Sequence, residues 1–429
     1  MSGLLYSQDS NGFRDLTVLK RRGKDACTEL QNELGYFHHC LLDLTGAEAS
    51  QPMKTSHGYA LLDGGSYNCK SCSKFLRDNL DGNLSNTLDC IRGARGEFAL
   101  VYVTERHIVF CVDTFGLKNL WFFHDQPTRQ LTLSSIPRLV EQKHGNSWQA
   151  DGNKIYIVDK HDWSVDIQEN HIFNLDQKIK HFDYVFEQFE NAVQDRYQPE
   201  HSTLLLSSGM DSGALACAIN KLFGELDCVS DPEIEDKEVI KQRMAIHKAV
   251  ILPPVKDLSE EDKDIMLKEI IGKHTLWHVS VTDGLINLIK NYVYKNKKKI
   301  VITGEGTDAL YTDRMGEGNG TAWSKTNQKF PNNLSFVWPW YNLQGKLQIM
   351  NTRNDFIAGY YQAEARSPML DLKLVQAWLN TTADCKNDKK SWIRQYMDLH
   401  KYPYTLEKIH SWSKEIRNPC CISILNTMK

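Results

Sequence analysis

The sequence predicts a two-part protein of mixed class: an α+β half rich in short strands, followed by an α/β half built on a parallel sheet. Three observations carry that expectation. Up to about residue 150 the chain is dominated by short alternating runs, among them GEFALVYV (96–103) and HIVFCVDTFGLKNLWFF (107–123), the pattern of half-buried strands joined by turns. Beyond that point strand-like segments alternate with helical periodicity, as βαβ units do. The length of 429 residues allows two or three domains with separate cores.

The segment 165–180 is the expected boundary, ahead of an amphipathic helix near 181–195. STLLL (202–206) reads as a short buried strand, and Leu215, Ile219, Leu222 and Phe223 then repeat at helical spacing. Leu285, Leu288, Ile289, Tyr292 and Val293 mark a further helix, followed by the strand KIVIT (299–303) and the glycine-rich GEGTD (304–308). Ligands of a parallel sheet bind beyond the carboxyl ends of its strands. Both polar clusters lie just past such ends. No internal repeat is present.

Composition narrows the function. Hydrophobic residues at 41% and charged residues at 24% describe a soluble globular chain. A formal net charge of -3 gives no reason to expect a nucleic-acid or membrane partner, and the run Lys297–Lys299 reads as a solvated helix end. No stretch approaches the ~20 apolar residues that span a bilayer, and the N-terminus lacks a signal peptide's hydrophobic core. Eleven cysteines, scattered from Cys27 to Cys421, read as reduced thiols of a cytoplasmic protein. The lone pair Cys69–Cys72 reads as a surface loop rather than a metal or redox site.

The stretch LLLSSGMDSGAL (204–215) runs from a buried strand into small hydroxylated residues and one aspartate. A tight strand-to-helix loop gathers backbone N–H groups at the positive end of a helix, where phosphate binds well. Ser207, Ser208 and Ser212 add hydroxyls, and Gly209 permits close approach to the backbone. Asp211 repels a bare phosphate, and makes sense if Mg²⁺ sits between carboxylate and phosphate. The lysine and spacing of a Walker loop are missing. A small-residue turn with no ligand is the alternative.

This loop resembles the SGGxDS signature of PP-loop ATP pyrophosphatases, with Ser208 in place of the first glycine. VITGEGTDALYTDR (301–314) resembles the SGEGxDE motif of asparagine synthetases, and AEARSPMLDLKLV (363–375) their ExRxPFLD segment. In the first half, RRGKDA (21–26), HHCLLDLTGAEASQPM (38–53), LLDGGSYN (61–68), GEFALVYV and VDTFGLKNLWF are similar to that family's glutaminase motifs. The resemblance implies an Ntn-hydrolase-like αββα sandwich over 1–172. It also implies a PP-loop pyrophosphatase domain over 173–429, with a parallel α/β sheet and a helical C-terminal part. The implied cofactors are ATP and Mg²⁺. Ser207, Ser208, Gly209, Asp211, Ser212 and Gly304 are placed at the nucleotide, and Asp211 and Asp308 at the metal. Glu305 is the expected general base, with Glu364 assisting or anchoring its loop through Arg366. Arg366 and Asp371 form either a salt-bridged turn or a substrate contact. Lys408 and Lys414 are the candidates for a lysine facing the transferring phosphate.

The family pattern fails at one pocket. Glutamine-hydrolysing members begin Met-Cys-Gly, whereas this chain begins Met1-Ser2-Gly3. Cys40 replaces the arginine that grips the glutamine carboxylate, Asp63 the oxyanion-donating asparagine, Gly65 a glutamate and Asn86 an aspartate. The expectation is a glutaminase-like domain without glutaminase activity, in which Tyr67, Asn68 and Gly96 serve the fold. The expected activity is an AMP-forming, ATP-dependent carbon–nitrogen ligase. It joins a carboxylate to ammonia or to an amine of a small-molecule or peptide substrate. An ATP-binding scaffold, and a glutamine-dependent asparagine synthetase using Ser2, are the alternatives. A homodimer is also compatible. The aromatic stretch FVWPWYNL (336–343), after GEGNGT (316–321), reads as core or as an acceptor pocket.

Overall fold

The computed structural model describes residues 2–13, 15–44, 50–68, 71–231, 235–247, 250–252, 259, 282–312, 329–339, 346–388 and 390–405. The chain forms two compact units. The first comprises Met1–Leu175, Val337–Arg366 and Leu370–Gln376, and the second Asp176–Phe336, Ser367–Met369 and Ala377–Lys429. The first unit thus takes in two segments that follow residue 175 in the sequence.

The first unit opens with β1 (Gly3–Ser7), α1 (Thr17–Arg22), β2 (Ala26–Asn32), β3 (Gly35–Leu41), β4 (Met53–Lys54) and β5 (Gly58–Ser66). It continues through α2 (Cys72–Asn79), α3 (Leu84–Gly93), β6 (Gly96–Thr104), β7 (His107–Val112), β8 (Trp121–Asp125) and β9 (Gln130–Ser134). α4 (Pro137–His144), β10 (Trp148–Gln149), β11 (Lys154–Asp159) and β12 (Val165–Glu169) complete this run. The strands make two sheets of six, ordered β10-β8-β9-β1-β3-β2 and β12-β11-β7-β6-β5-β4. Alternate side chains of both sheets, including Leu4, Phe37, Leu61, Val101, Phe110, Leu133 and Tyr156, share one buried core. The opposite face of the second sheet buries Leu62, Leu100 and Ile157 against Leu76 of α2, Leu88 and Ile91 of α3, and Leu80 between the two helices. α1 packs on β1 and β3, and α4 on β8 and β9. The layering is α, β, β, α, the arrangement in which each sheet covers both its apolar faces.

The second unit contains α5 (Asp183–Arg196), β13 (Ser202–Leu205), α6 (Met210–Phe223), β14 (Cys228–Ser230), α7 (Lys237–Ile246) and β15 (Val250–Ile251). α8 (Thr282–Leu288) runs on as a π-helical turn to Tyr294, before β16 (Ile300–Ile302) and α9 (Thr307–Tyr311). The strands pair in the order β15-β14-β13-β16, all parallel. Parallel pairing requires the long crossovers that the alternating pattern predicted. α10 (Lys346–Tyr360) and β17 (Glu364–Arg366) return the chain to the first unit. α11 (Leu372–Leu379), α12 (Ala383–Lys386) and α13 (Ser391–Leu399) follow. Trp392 and Tyr396 of α13 stack edge-on against Phe189 of α5, which fixes the start of α13.

One cysteine expectation is corrected. Cys27 and Cys40 are direct partners across β2 and β3, with Cα atoms 4.2 Å apart, and they form a disulfide. The sequence separation of 13 concealed a pairing that the strand register enforces. Among the described residues, no helix is long and apolar enough to cross a membrane.

Candidate functional site

In the second unit the strand-to-helix loop is assembled by its own hydroxyls. Ser207 N donates to Ser212 Oγ at 2.9 Å, the two serine hydroxyls lie 2.8 Å apart, and Gly209 N donates to Ser207 Oγ at 3.2 Å. Beneath the loop, the buried Arg243 of α7 donates to the carbonyls of Ser207 and Gly209, and to Pro403 O at 3.1 Å. A guanidinium satisfying several outward-turned carbonyls holds the loop in one conformation.

Asp211 lies in the first turn of α6 and Asp308 in the first turn of α9. Between them stands Lys390, whose Nζ is 2.5 Å from Asp211 Oδ1 and 2.9 Å from Asp308 Oδ1. Burial works against the Lys390 charge, but the two carboxylates outweigh it and raise its pKa above the usual lysine value. Gly304 belongs to the same junction: a Cβ there would stand 3.0 Å from the Asp211 Cβ, a tight contact that the two loops would have to shift to admit. Glu305 is partly exposed on the turn between β16 and α9.

The two aspartates fit a hard divalent cation in kind, since both offer carboxylate oxygens and both converge on one positive centre. That centre is the Lys390 ammonium, which sequence reasoning missed. Ser208 is the other surprise. Its backbone N and Oγ both donate to Glu235 at 2.5 Å, and Asp236 N donates to Ser208 Oγ at 3.0 Å. An internal carboxylate therefore takes the donors that the loop offers to an anion. Burial raises the Glu235 pKa, against the Ser208 hydrogen bonds.

The first unit carries a second charged centre, almost wholly buried. Ser2 N donates to Asp63 Oδ1 at 2.6 Å. Arg22 is 3.3 Å from Asp63 Oδ2 and 2.7 Å from Asp355 Oδ2. Lys118 lies 3.6 Å from Asp355 and 4.0 Å from Glu364, and Arg366 Nε is 2.7 Å from Glu364 Oε1. Burial works against the Glu364 charge, but Lys118 and Arg366 outweigh it and hold its carboxyl well below the usual range. The loop after β7 positions Lys118: the Asp113 carboxylate accepts from the amides of Phe115, Leu117 and Lys118. Gly64, at φ +81, lies tight against β6: a Cβ there would stand 2.0 Å from the Glu97 carbonyl oxygen and 2.9 Å from the Lys118 Cε.

Ser207, Ser208, Gly209, Asp211, Ser212, Gly304, Glu305 and Asp308 belong to the second unit, and Glu364, grouped with the first, is ion-paired with Arg366. Asp371 accepts from the amides of Lys373 and Leu374, as a helix cap does. Tyr67, Asn68 and Gly96 pin β5 to β6 and to the end of α3: Tyr67 N donates to Arg95 O, and Asn68 Nδ2 to Gly93 O. Asn86 sits exposed in the first turn of α3 and donates to Asp81. Lys408, Lys414, the stretch 316–321 and residues 340–343 lie outside the described residues. Phe336 is 83% exposed, and Trp338 packs edge-on against Phe173.

No protein-family model matches the chain, and no curated protein matches it. Among solved structures, it is similar to glutamine phosphoribosylpyrophosphate amidotransferase from B. subtilis complexed with ADP and GMP. That match has a TM-score of 0.29 and 11% identity, over 56% of this chain and 64% of that one. It is also similar to a protein described as the allosteric regulatory enzyme of purine biosynthesis, with a TM-score of 0.30 and 10% identity, over 59% of this chain and 74% of that one.

Proposed function

We propose that the chain is an ATP-dependent amide-forming ligase of the asparagine-synthetase type whose glutaminase-like half no longer hydrolyses glutamine. The observation that carries this reading is the junction of Asp211, Asp308 and Lys390, which draws two loops at strand ends around one cationic centre. A carboxylate is a poor electrophile, and adenylation with release of pyrophosphate gives it a good leaving group. Asp211 and Asp308 would hold Mg²⁺, which neutralises polyphosphate charge. Lys390 takes the role that the sequence assigned to Lys408 or Lys414, its ammonium facing the transferring phosphate. Glu305 accepts the proton that the attacking amine loses. In the first unit Asp63 and Ser2 N are committed to each other, so Ser2 lacks the surroundings of a hydrolase nucleophile. The protein acts in the cytoplasm.

Purified protein with Mg²⁺ and a panel of carboxylates, aspartate among them, is expected to catalyse ATP–pyrophosphate exchange with one of them. Asp211→Asn and Lys390→Met are each expected to lower it by roughly a hundredfold or more, the usual scale for removing a charge aimed at the reacting phosphate. A specific observation favours a second reading, an ATP-free scaffold: Glu235 already holds the Ser208 donors. If ATP fails to bind, and Glu235→Ala does not restore binding, the scaffold reading replaces the ligase.

A further inference from the structure

We propose that Cys27, His38 and Cys40 form a site for a thiophilic divalent cation, zinc by preference, in the reduced protein. The site lies on one face of the β2–β3 hairpin, where the register sets Cys27 opposite Cys40 and Glu29 opposite His38. His38 and Cys40 are two positions apart on β3, so their side chains share a face. One ligand atom from each of Cys27, His38 and Cys40 falls within 4.8 Å of the others. His38 Nε2 is 3.5 Å from Cys40 Sγ. Its Nδ1 faces the Tyr36 hydroxyl at 3.4 Å and the Glu29 carboxylate at 4.0 Å.

That division of the ring fits metal ligation. A ligating histidine commonly donates its other N–H to a carboxylate or another acceptor, which fixes the tautomer and aims the free nitrogen at the ion. Two thiolates and one imidazole are a zinc ligand set, and three protein ligands leave a fourth position for water. Glu29, 60% exposed, acts behind the histidine. Gly3 on β1 stands beside Cys40 and places no side chain there.

The disulfide is the metal-free, oxidised form of the same pair. A dithiol reductant supplies two electrons and two protons, breaks the S–S bond and becomes a disulfide itself. The two thiols formed then release their protons as the cation binds. A bound cation in turn occupies both sulfurs and withholds them from oxidation. The hairpin thereby reads thiol redox state as metal occupancy.

The test uses the full chain, reduced with dithiothreitol and desalted without oxygen, then titrated with Co²⁺ and Zn²⁺. Thiolate-to-cobalt charge transfer and strong tetrahedral d–d bands are expected at one ion per chain. Both are expected to disappear in Cys27→Ser, a surface substitution, and to persist in Cys69→Ser/Cys72→Ser. Glu29→Gln is expected to weaken Zn²⁺ binding by about tenfold, as loss of an outer partner does. Absence of binding by the reduced chain, an unchanged spectrum in Cys27→Ser, or loss of the signal in Cys69→Ser/Cys72→Ser would overturn the proposal.

Discussion

Replacing Arg22 with Met is expected to destabilise the first unit by about 3–5 kcal/mol, the range for removing one partner from a buried ionic group. Arg22 is the contact that Asp63 and Asp355 share, at 3.3 and 2.7 Å, and all three side chains are almost fully excluded from water. Burial works against both carboxylates. It raises the Asp63 pKa, whereas Arg22 and Lys118 outweigh it at Asp355 and hold that group low. Methionine fills a similar volume but leaves one of these charges without its main counterion. The loss is therefore chiefly a desolvation penalty, and only in small part a lost attraction. Adding Asp355→Asn to Arg22→Met removes the stranded charge and should recover part of the loss, a coupling that a double-mutant cycle reads. Urea unfolding, followed through hydrogen exchange of the β1–β3 amides, confines the measurement to this unit. An Arg22→Met chain within about 1 kcal/mol of the native one would mean that the cluster is hydrated and screened.

The same cluster marks how far the sequence could be read. The apolar run of β13, the small residues of 207–212 and the glycines of 304–306 announce strand ends that turn into helices, because each is a local signal. Asp355 has no local signal. It sits in a helix without an apolar stripe, whose polar face is buried because Gln348, Asn351 and Thr352 bond to Ala150 O, Phe115 O and Asn119. Polar residues in a helix read as solvated until the loops that receive them are known. Lys390 was hidden in the same way. A lysine ahead of an amphipathic helix looks like a surface cation, and only the fold carries it to an aspartate 179 positions away. Cys27 and Cys40 were unpatterned in spacing, yet one hairpin register makes them neighbours. Residues whose partners are local were legible, and those whose partners lie across the fold were not.

Acid is expected to act on the first unit through His39. Burial in the β1–β3 sheet depresses its pKa to about 3, and neither ring nitrogen has a hydrogen-bond partner among the described residues. The sign follows from the direction of that shift. The unfolded chain, near 6.5, binds the proton more tightly than the folded one, so unfolding takes up a proton between the two values. Stability from this group is complete above pH 6.5 and is lost as pH falls toward 3. Between pH 7 and pH 4 the loss is about 3 kcal/mol, at 1.36 kcal/mol for each pKa unit. His39→Gln keeps a polar side chain of similar reach but cannot gain charge in this range. Urea unfolding at both pH values, read on the β1–β3 amides, should find the wild type losing about 3 kcal/mol more than the variant. Equal losses would mean that His39 is solvated in the folded state. The buried carboxylates do not blur this comparison, since Glu364 and Asp355 titrate alike in both chains. What the difference isolates is the cost of placing one imidazolium inside the sandwich, because β3 turns His39 toward the Leu62 strand and not toward water.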